Sequence, residues 1–423
     1  MHPPPGYKIP PDCKGKVLKL KKALYGLKQA ARCWNKLLDS VLRDAGLVPS
    51  THDPCVYSSH DKGVSIVFLV YVDDLLLAGN CKLRLQAIKD HLASHFSMKD
   101  LGEAEFCLGI LIKRDREKKT MRLTQPNYIR DMVRRFKMEY AHPVPSPMHL
   151  ATSDQLRTPT ISECIPSQDG ISFRSIVGSL LYAALTTRPD ITHAVRYLAT
   201  QQLQPTQDLW QAARRVIAYL KCTPTLGLLY TSFDTTSTPE LVGFSDASWG
   251  SSLEERKSIS GFAFKHGPNL ISWKSSRQKS VALSTAESEY MALSDASREA
   301  LWLRALLNGI LGIVPSTTID APRPPVILYE DNQAAMKLAL HPSNHDRSKH
   351  IDIRYHFVRD QVLAGHVTVE YVPTKQQAAD IFTKTLCTPV FKDARQLLGM
   401  SSAVDLGGVL DLDGLGELRN LII

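Results

Sequence analysis

Nowhere in the chain do about 18 apolar residues follow one another, so nothing in it reads as a membrane-spanning helix. No charged-then-apolar segment opens it, so no secretory signal is expected. The eight cysteines, at positions 13, 33, 55, 81, 107, 164, 222 and 387, never form a C-x-x-C pair. That excludes a recognisable zinc site or disulfide framework and fits a reducing intracellular setting, cytoplasmic or nuclear. No internal repeat is found, which sets aside repeat architectures.

What is present suits a globular protein. The 423 residues are 43% hydrophobic and 22% charged, enough for two or three domains with real cores. The formal charge of +9 is unevenly spread. Residues 1–150 hold 25 Lys and Arg against 15 Asp and Glu, while the remainder is nearly balanced. A basic first third fits a polyanionic partner such as nucleic acid, although a generic basic surface has the same composition.

Along the chain, the Pro-rich residues 1–12 exclude regular helix. Trp34, Leu37, Leu38, Val41 and Leu42 recur at helical spacing, and Gly46 stands where a C-terminal cap would. "KGVSIVFLVYV" and "DLLLAGN" read as two strands joined at an acidic pair, Asp73 and Asp74. An amphipathic helix follows over 82–100, then a hairpin with a charged turn over 104–125 and a basic helix over 125–138. Residues 141–170, rich in Pro, Ser and Thr, suggest a linker or long surface loop. Residues 173–221 are mostly helical. From 240 three short strands are expected, then a long helix from about Ser284, the strand "PPVILYED", the helix "NQAAMKLAL", a helix over 351–364, the strand "HVTVEYVP" and a helix from about Gln376.

Two adjacent carboxylates among apolar neighbours are costly to bury unless a cation neutralises them, and an exposed turn is the plain alternative. The surrounding motifs bear on that choice. "LYGLKQAARCWN", "YVDD", "FSMKDLGEAEFCLGI", "LTQPNYIRDMV" and "FRSIVGSLLYAALTTRPDI" occur in an order that resembles the reverse transcriptase of copia-type retrotransposons. The resemblance runs from about residue 3 to residue 388. It implies that Asp73 and Asp74 bind Mg²⁺ in a polymerase palm and that Gly26, Lys28 and Gln29 contact the incoming nucleotide and template. It also makes "CLGILIK" a primer grip and the helix over 126–138 part of a thumb. The strand carrying the third carboxylate would precede the "HPPPGY" segment, which here follows Met1 directly. Polymerase activity is therefore expected to be lost by truncation, and the surface left bare would favour self-association or complementation by an upstream half.

Residues 240–388 resemble the ribonuclease H domain of the same elements. That implies four carboxylates holding Mg²⁺ or Mn²⁺ for cleavage of RNA in RNA–DNA hybrids. The candidates are Asp246 on the first strand, Asp331 at the end of "VILYED", Asp380 in the first turns of the last helix, and a glutamate of "STAESEYMA". Ser284 and Glu287 form an S-x-x-E capping box, which gives Glu287 a local helix-start role, whereas Glu289, followed by Tyr-Met-Ala, matches the family's Glu-apolar-apolar-Ala pattern and is the ligand the resemblance implies. The loop "VPTKQQAAD" lacks the histidine many relatives carry there. His345, His350 and His356 lie upstream, His356 being expected on the polar face of a helix. Trp249 and Trp273 are expected in the core.

The architecture expected is therefore α+β or α/β. A partial palm and thumb would occupy 1–140, a linker and helical connection 141–239, and a ribonuclease H-like mixed sheet 240–390, with 391–423 unassigned. The alternative function is a non-catalytic nucleic-acid-binding remnant or a pseudogene product.

Overall fold

The computed structural model describes residues 2, 5–8, 10, 11, 15–149, 164–233, 241–251, 256–313, 324–340 and 352–402, with only the backbone described for 352–356. The chain divides into two units, Met1–Glu103 with Ala305–Thr317, and Ala104–Arg304 with Thr318–Ile423.

In the first unit, helix α1 (Ala30–Asp44) and helix α2 (Lys82–His95) accompany a sheet in the order β1 (Val48–Pro49), β2 (Val56–Asp61), β3 (Val64–Tyr71), β4 (Asp74–Gly79). In β3 the alternate residues Ile66, Phe68 and Val70 are buried, as period-two geometry requires. They meet Leu38, Val41 and Leu42 of α1 and Ile88 and Leu92 of α2 in one cluster. Gly46 ends α1 at φ +79°, where a side chain would be strained, and Leu47 N–H donates to Leu42 O at 2.9 Å across it. The segment before α1 is not helical. The sequence does not announce β1, which has two residues, or β2, whose stretch "THDPCVYSSHD" shows neither strong alternation nor a β-branched run.

The second unit opens with β5 (Phe106–Cys107), β6 (Ile110–Asp115), β7 (Thr120–Thr124) and helix α3 (Pro126–Arg135). A short hairpin, β8 (Ser167–Gln168) and β9 (Ile171–Ser172), precedes helices α4 (Phe173–Thr186), α5 (Thr192–Thr200) and α6 (Gln207–Cys222), and strand β10 (Gly227–Thr231) follows. Next come β11 (Leu241–Ser248), β12 (Ile259–His266), β13 (Asn269–Arg277), helix α7 (Thr285–Leu311), β14 (Val326–Glu330), helices α8 (Gln333–Leu340) and α9 (Asp352–Leu363), β15 (Val367–Tyr371), helix α10 (Thr388–Leu397) and β16 (Met400–Ser401). One five-stranded sheet runs β16-β10-β7-β6-β5, and another runs β13-β12-β11-β14-β15. In the latter β11 is antiparallel to β12 and parallel to β14, and β14 is parallel to β15.

The division after Glu103 differs from a boundary near 140, and the reason is packing. Ile129 and Met132 of α3 share one buried cluster with Ile176 and Leu180 of α4, Trp210 and Ile217 of α6, and Ala263, Leu270 and Phe382 from the region around the last-named sheet. Residues 104–140 and 240–390 therefore bury their apolar faces against the same helices. The "TTRPD" stretch sits among these helices. Arg188 donates to Asp190 through Nε at 2.9 Å and Nη2 at 2.8 Å, and both side chains are fully buried. Tyr219 also donates to Asp190, and Arg188 Nη1 donates to Thr223 O at 2.9 Å, so the buried pair is satisfied.

One expectation is corrected at the C-terminal end. No α-helix starts at Gln376: short 3₁₀ turns cover Thr374–Gln376 and Asp380–Phe382, and α10 begins only at Thr388. Within the segment left unassigned, the described residues contribute Phe391 of α10 to the core and pair β16 with β10. Trp249 is 50% exposed and so is no core residue. Its indole N–H donates to Ala282 O at 2.9 Å. Trp273 packs at the margin of the core and donates to Ala184 O. His345 and His350 lie outside the described residues, and for His356 only the helical backbone of α9 is described.

Candidate active site

Two adjacent parallel strands position the first two acids. Phe244 of β11 is in register with Tyr329 of β14, so Asp246 and Asp331 each stand two residues further along. Asp246 is fully buried. Glu289 enters from the start of α7, and carboxylate oxygens of Asp246, Glu289 and Asp331 lie within 4.8 Å of one another. Thr374 Oγ1 donates to Asp331 Oδ2 at 2.8 Å.

Glu287, two residues before Glu289, does something else. Its N–H donates to Ser284 Oγ at 3.1 Å, and its Oε2 accepts from Leu283 N–H at 2.6 Å. This is reciprocal capping at the start of α7.

Asp380 arrives on its 3₁₀ turn. Gln377 Nε2 donates to Ser245 O at 2.9 Å, and Ser275 Oγ donates to Phe382 O at 2.5 Å, which ties the turn to both sides of β12. Gly261 of β12 is paired with Asp246 and lies directly under the turn. A Cβ there would stand 2.8 Å from both Phe382 Cβ and Thr383 Cγ2, so only glycine lets the turn settle on the sheet. Thr383 Oγ1 donates to Asp246 Oδ2. Lys384 Nζ lies 2.9 Å from Asp380 Oδ1 and 3.4 Å from Asp246 Oδ1.

The electrostatics follow from burial. Burial pushes the Asp246 carboxyl up, against the pull of Lys384 and Thr383. Burial and then Asp246 push Asp380 up to about 7. Glu289 is raised most plainly, by burial and then by Glu330, Asp246 and Asp331. Glu330, fully buried beside Asp331, is likewise raised by burial and by the neighbouring acids. Burial opposes the Lys384 ammonium, but Asp246 and Asp380 outweigh it and hold it above the usual lysine range. Sequence reasoning missed Gly261, Glu330, Thr383 and Lys384. A glycine inside the apolar strand "SISGFAF" and a Thr-Lys pair three and four residues after Asp380 were the available signals.

The other acidic pair lies in the first unit. Asp73 and Asp74 sit at the exposed tip of the β3–β4 hairpin, where Tyr71 pairs with Asp74. Val72 holds φ +55°, a strained value for a β-branched residue. Its carbonyl accepts from Trp34 Nε1 of α1 at 2.8 Å, and Trp34 packs edge-on against Phe96. Among the described residues no third acid joins this pair in a cluster. Gly26, Lys28 and Gln29 form the exposed approach to α1. Gly26, at φ +88°, lies within a turn closed by Leu27 N–H donating to Leu24 O.

A family model described as reverse transcriptase (RNA-dependent DNA polymerase) matches residues 1–150. The Pol polyprotein of transposon TNT 1-94 from Nicotiana tabacum is 36% identical over 405 residues, 95% of this chain. That of transposon RE1 from Arabidopsis thaliana is 39% identical over 402 residues, also 95% of this chain. The putative transposon Ty5-1 protein YCL074W of Saccharomyces cerevisiae is 30% identical, and the match covers 67% of this chain and 89% of that protein. The chain belongs to the copia-type retrotransposon Pol polyproteins. This Pol chain spans 29% of the length of the tobacco relative and 26% of the Arabidopsis one. A ribonuclease H1 structure from Halobacterium salinarum aligns with 34% of this chain and 93% of its own, at 14% identity and a TM-score of 0.25, too slight a likeness to argue from.

Family membership implies a divalent metal, and the residues of the Pol chain fit one. Glu289 Oε2 and Glu330 Oε2 are buried without a hydrogen-bond partner, and Asp246 Oδ1 is met only by the Lys384 ammonium at 3.4 Å. The donors are all carboxylate oxygens, which suit Mg²⁺ or Mn²⁺ rather than a thiophilic ion. No helix among the described residues is long and apolar enough to cross a membrane.

Proposed function

We propose that the cluster of Asp246, Glu289, Asp331 and Asp380 is a metal-dependent site that cleaves the RNA strand of RNA–DNA hybrids. The observation that carries this reading is the convergence of three acids from three separate elements to within 4.8 Å. Uncompensated carboxylates at that range repel one another, and such an arrangement is stable only with protons or a cation among them. Asp246, Glu289 and Asp331 would hold one ion, with Asp246 and Asp380 available to a second. Bound there, Mg²⁺ would polarise the attacking water and take up charge growing on the leaving oxygen. Thr383 orients Asp246, Thr374 orients Asp331, and the docked turn places Asp380.

Asp73 and Asp74 would be the palm carboxylates. With no third acid beside them among the described residues, primer extension by this chain alone is not expected.

The test is a labelled RNA–DNA duplex incubated with the full chain and Mg²⁺ or Mn²⁺. Cleavage of the RNA strand is expected, with loss of at least a hundredfold in Asp246→Asn while circular dichroism and hybrid binding persist. A folded wild-type chain that binds hybrid but cuts nothing would instead support the non-catalytic binding reading, to which the basic first 150 residues lend themselves.

A further inference from the structure

The acidic cluster has two sides, and they are not equivalent. On one, oxygens of Asp246, Glu289 and Asp331 approach one another, and among the described residues no lysine or arginine is paired with Glu289 or Asp331. On the other, the Lys384 ammonium lies between Asp246 and Asp380, 3.4 Å and 2.9 Å from their Oδ1 atoms. It therefore occupies the place where an ion shared by those two acids would have to sit. We propose that Lys384 is the resident cation of the Asp246–Asp380 side, and that a divalent ion enters there only by displacing it, so that the two sides load unequally. The proposal rests on the metal-dependent reading above.

The anatomy of the residue suits a displaceable occupant. Lys384 follows Asp380 by four residues, and its N–H donates to Asp380 O at 3.1 Å, so the turn that delivers the acid also delivers the ammonium. Its side chain is 36% exposed, against 1% for Asp246, so it has an open route to water that Asp246 lacks. A lysine side chain is a point charge on a flexible four-carbon stem, able to swing out without moving the backbone. A divalent ion brings twice the charge and approaches oxygens to about 2.1 Å, so it can outcompete the ammonium. Asp246 belongs to both sides, so filling one side weakens the hold of its carboxylate on the lysine.

The test uses the full chain and reads binding rather than cleavage. Free Mn²⁺ is followed by electron paramagnetic resonance during titration of wild type, Lys384→Met, Lys384→Gln and, as a charge control, Lys375→Met at an exposed position. Wild type is expected to bind one ion at least tenfold more tightly than the second. Lys384→Met or Lys384→Gln should tighten the second step about tenfold and leave the first nearly unchanged, with Lys375→Met matching wild type. Equal isotherms for wild type and the Lys384 variants, with two ions bound, would overturn the lysine proposal and leave the metal reading standing. Absence of Mn²⁺ binding in every protein would overturn both. Should the variants fail to fold, the wild-type chain still decides. Acetylation of Lys384, measured by peptide mass spectrometry, should rise severalfold with saturating Mn²⁺ while Lys375 stays constant. No rise would overturn the displacement.

Discussion

Glu287 and Glu289 stand two positions apart on one helix and are given different work by their surroundings. Glu287→Gln should lose about 1 kcal/mol, the typical worth of a helix-capping contact, and retain most hybrid cleavage. Glu289→Gln should cost cleavage at least a hundredfold with little change in the urea midpoint. Cleavage assays beside urea melts check this, and the reverse pattern would exchange the two roles. The raised carboxyls also make a statement about pH. Asp380 keeps its proton in the folded state up to about 7, whereas the unfolded chain loses it near 3.8. Between those values the folded state binds more protons, so its contribution to stability, full below about 3.8, falls as pH rises toward 7. His193 works in the opposite sense: burial pushes it down to about 3 from 6.5, so it contributes stability that is lost as pH falls through that interval. Asp246, Glu289 and Glu330 are raised as well and act in the same sense as Asp380, so the bare slope mixes opposing contributions and the informative quantity is the increment due to metal. The rise in Tm on adding Mg²⁺ should grow from pH 5 to pH 8, because the ion replaces protons that the acids no longer hold. A Tm increment that is flat across that range would remove the acids from the account. Asp246, Glu289 and Asp331, which the structure brings together, could be named from the sequence because the segments around them resemble known motifs. Lys384 and Glu330 could not, since nothing in a one-dimensional pattern says that a charged residue will turn inward.

Elements with strong periodicity were readable: α3, α7, β11 to β13 and the β3–β4 hairpin all fall where alternation or helical spacing places them. The sequence places Asp380 of "QQAADIFTK" in the first turns of a helix. Docking decides otherwise. Ala379 and Phe382 are buried against β12, and Gln377 is drawn to Ser245 O, so the chain closes 3₁₀ turns instead of extending a helix. The close seat on Gly261 makes a sharp prediction. Gly261→Ala should lift the Asp380 turn, because the new methyl meets Phe382 Cβ and Thr383 Cγ2 at 2.8 Å, and these atoms lie close to the backbone. Cleavage should fall tenfold or more, with a stability loss of about 1–3 kcal/mol by urea melts. Gly250→Ala, with nothing within 4 Å of the added atom but a φ of +57°, should show only modest backbone strain and little loss of activity. If the two variants behave alike, the docking argument fails.

At the scale of the molecule, the mixed α+β character was evident from the succession of patterns, but the partition was not. Composition marks residues 141–170 as polar and Pro-rich, and that says nothing about which flanking faces will share a core. The buried cluster linking α3, the helices α4 to α6 and Phe382 is a long-range fact, formed by residues more than 200 positions apart. The same holds for β16, whose two residues pair with β10 at Leu228↔Met400 and Gly227↔Ser401. That pairing has a consequence for biogenesis. The sheet begun by residues 106–124 receives its outer strand only when residue 401 has left the ribosomal tunnel, so during translation most of this unit waits with an open edge. A nascent chain stalled so that residue 390 is the last to emerge should remain protease-sensitive throughout 104–300. One stalled with residue 402 fully emerged should become resistant in a single step, and gradual resistance acquired earlier would show that the unit can close without its last strand.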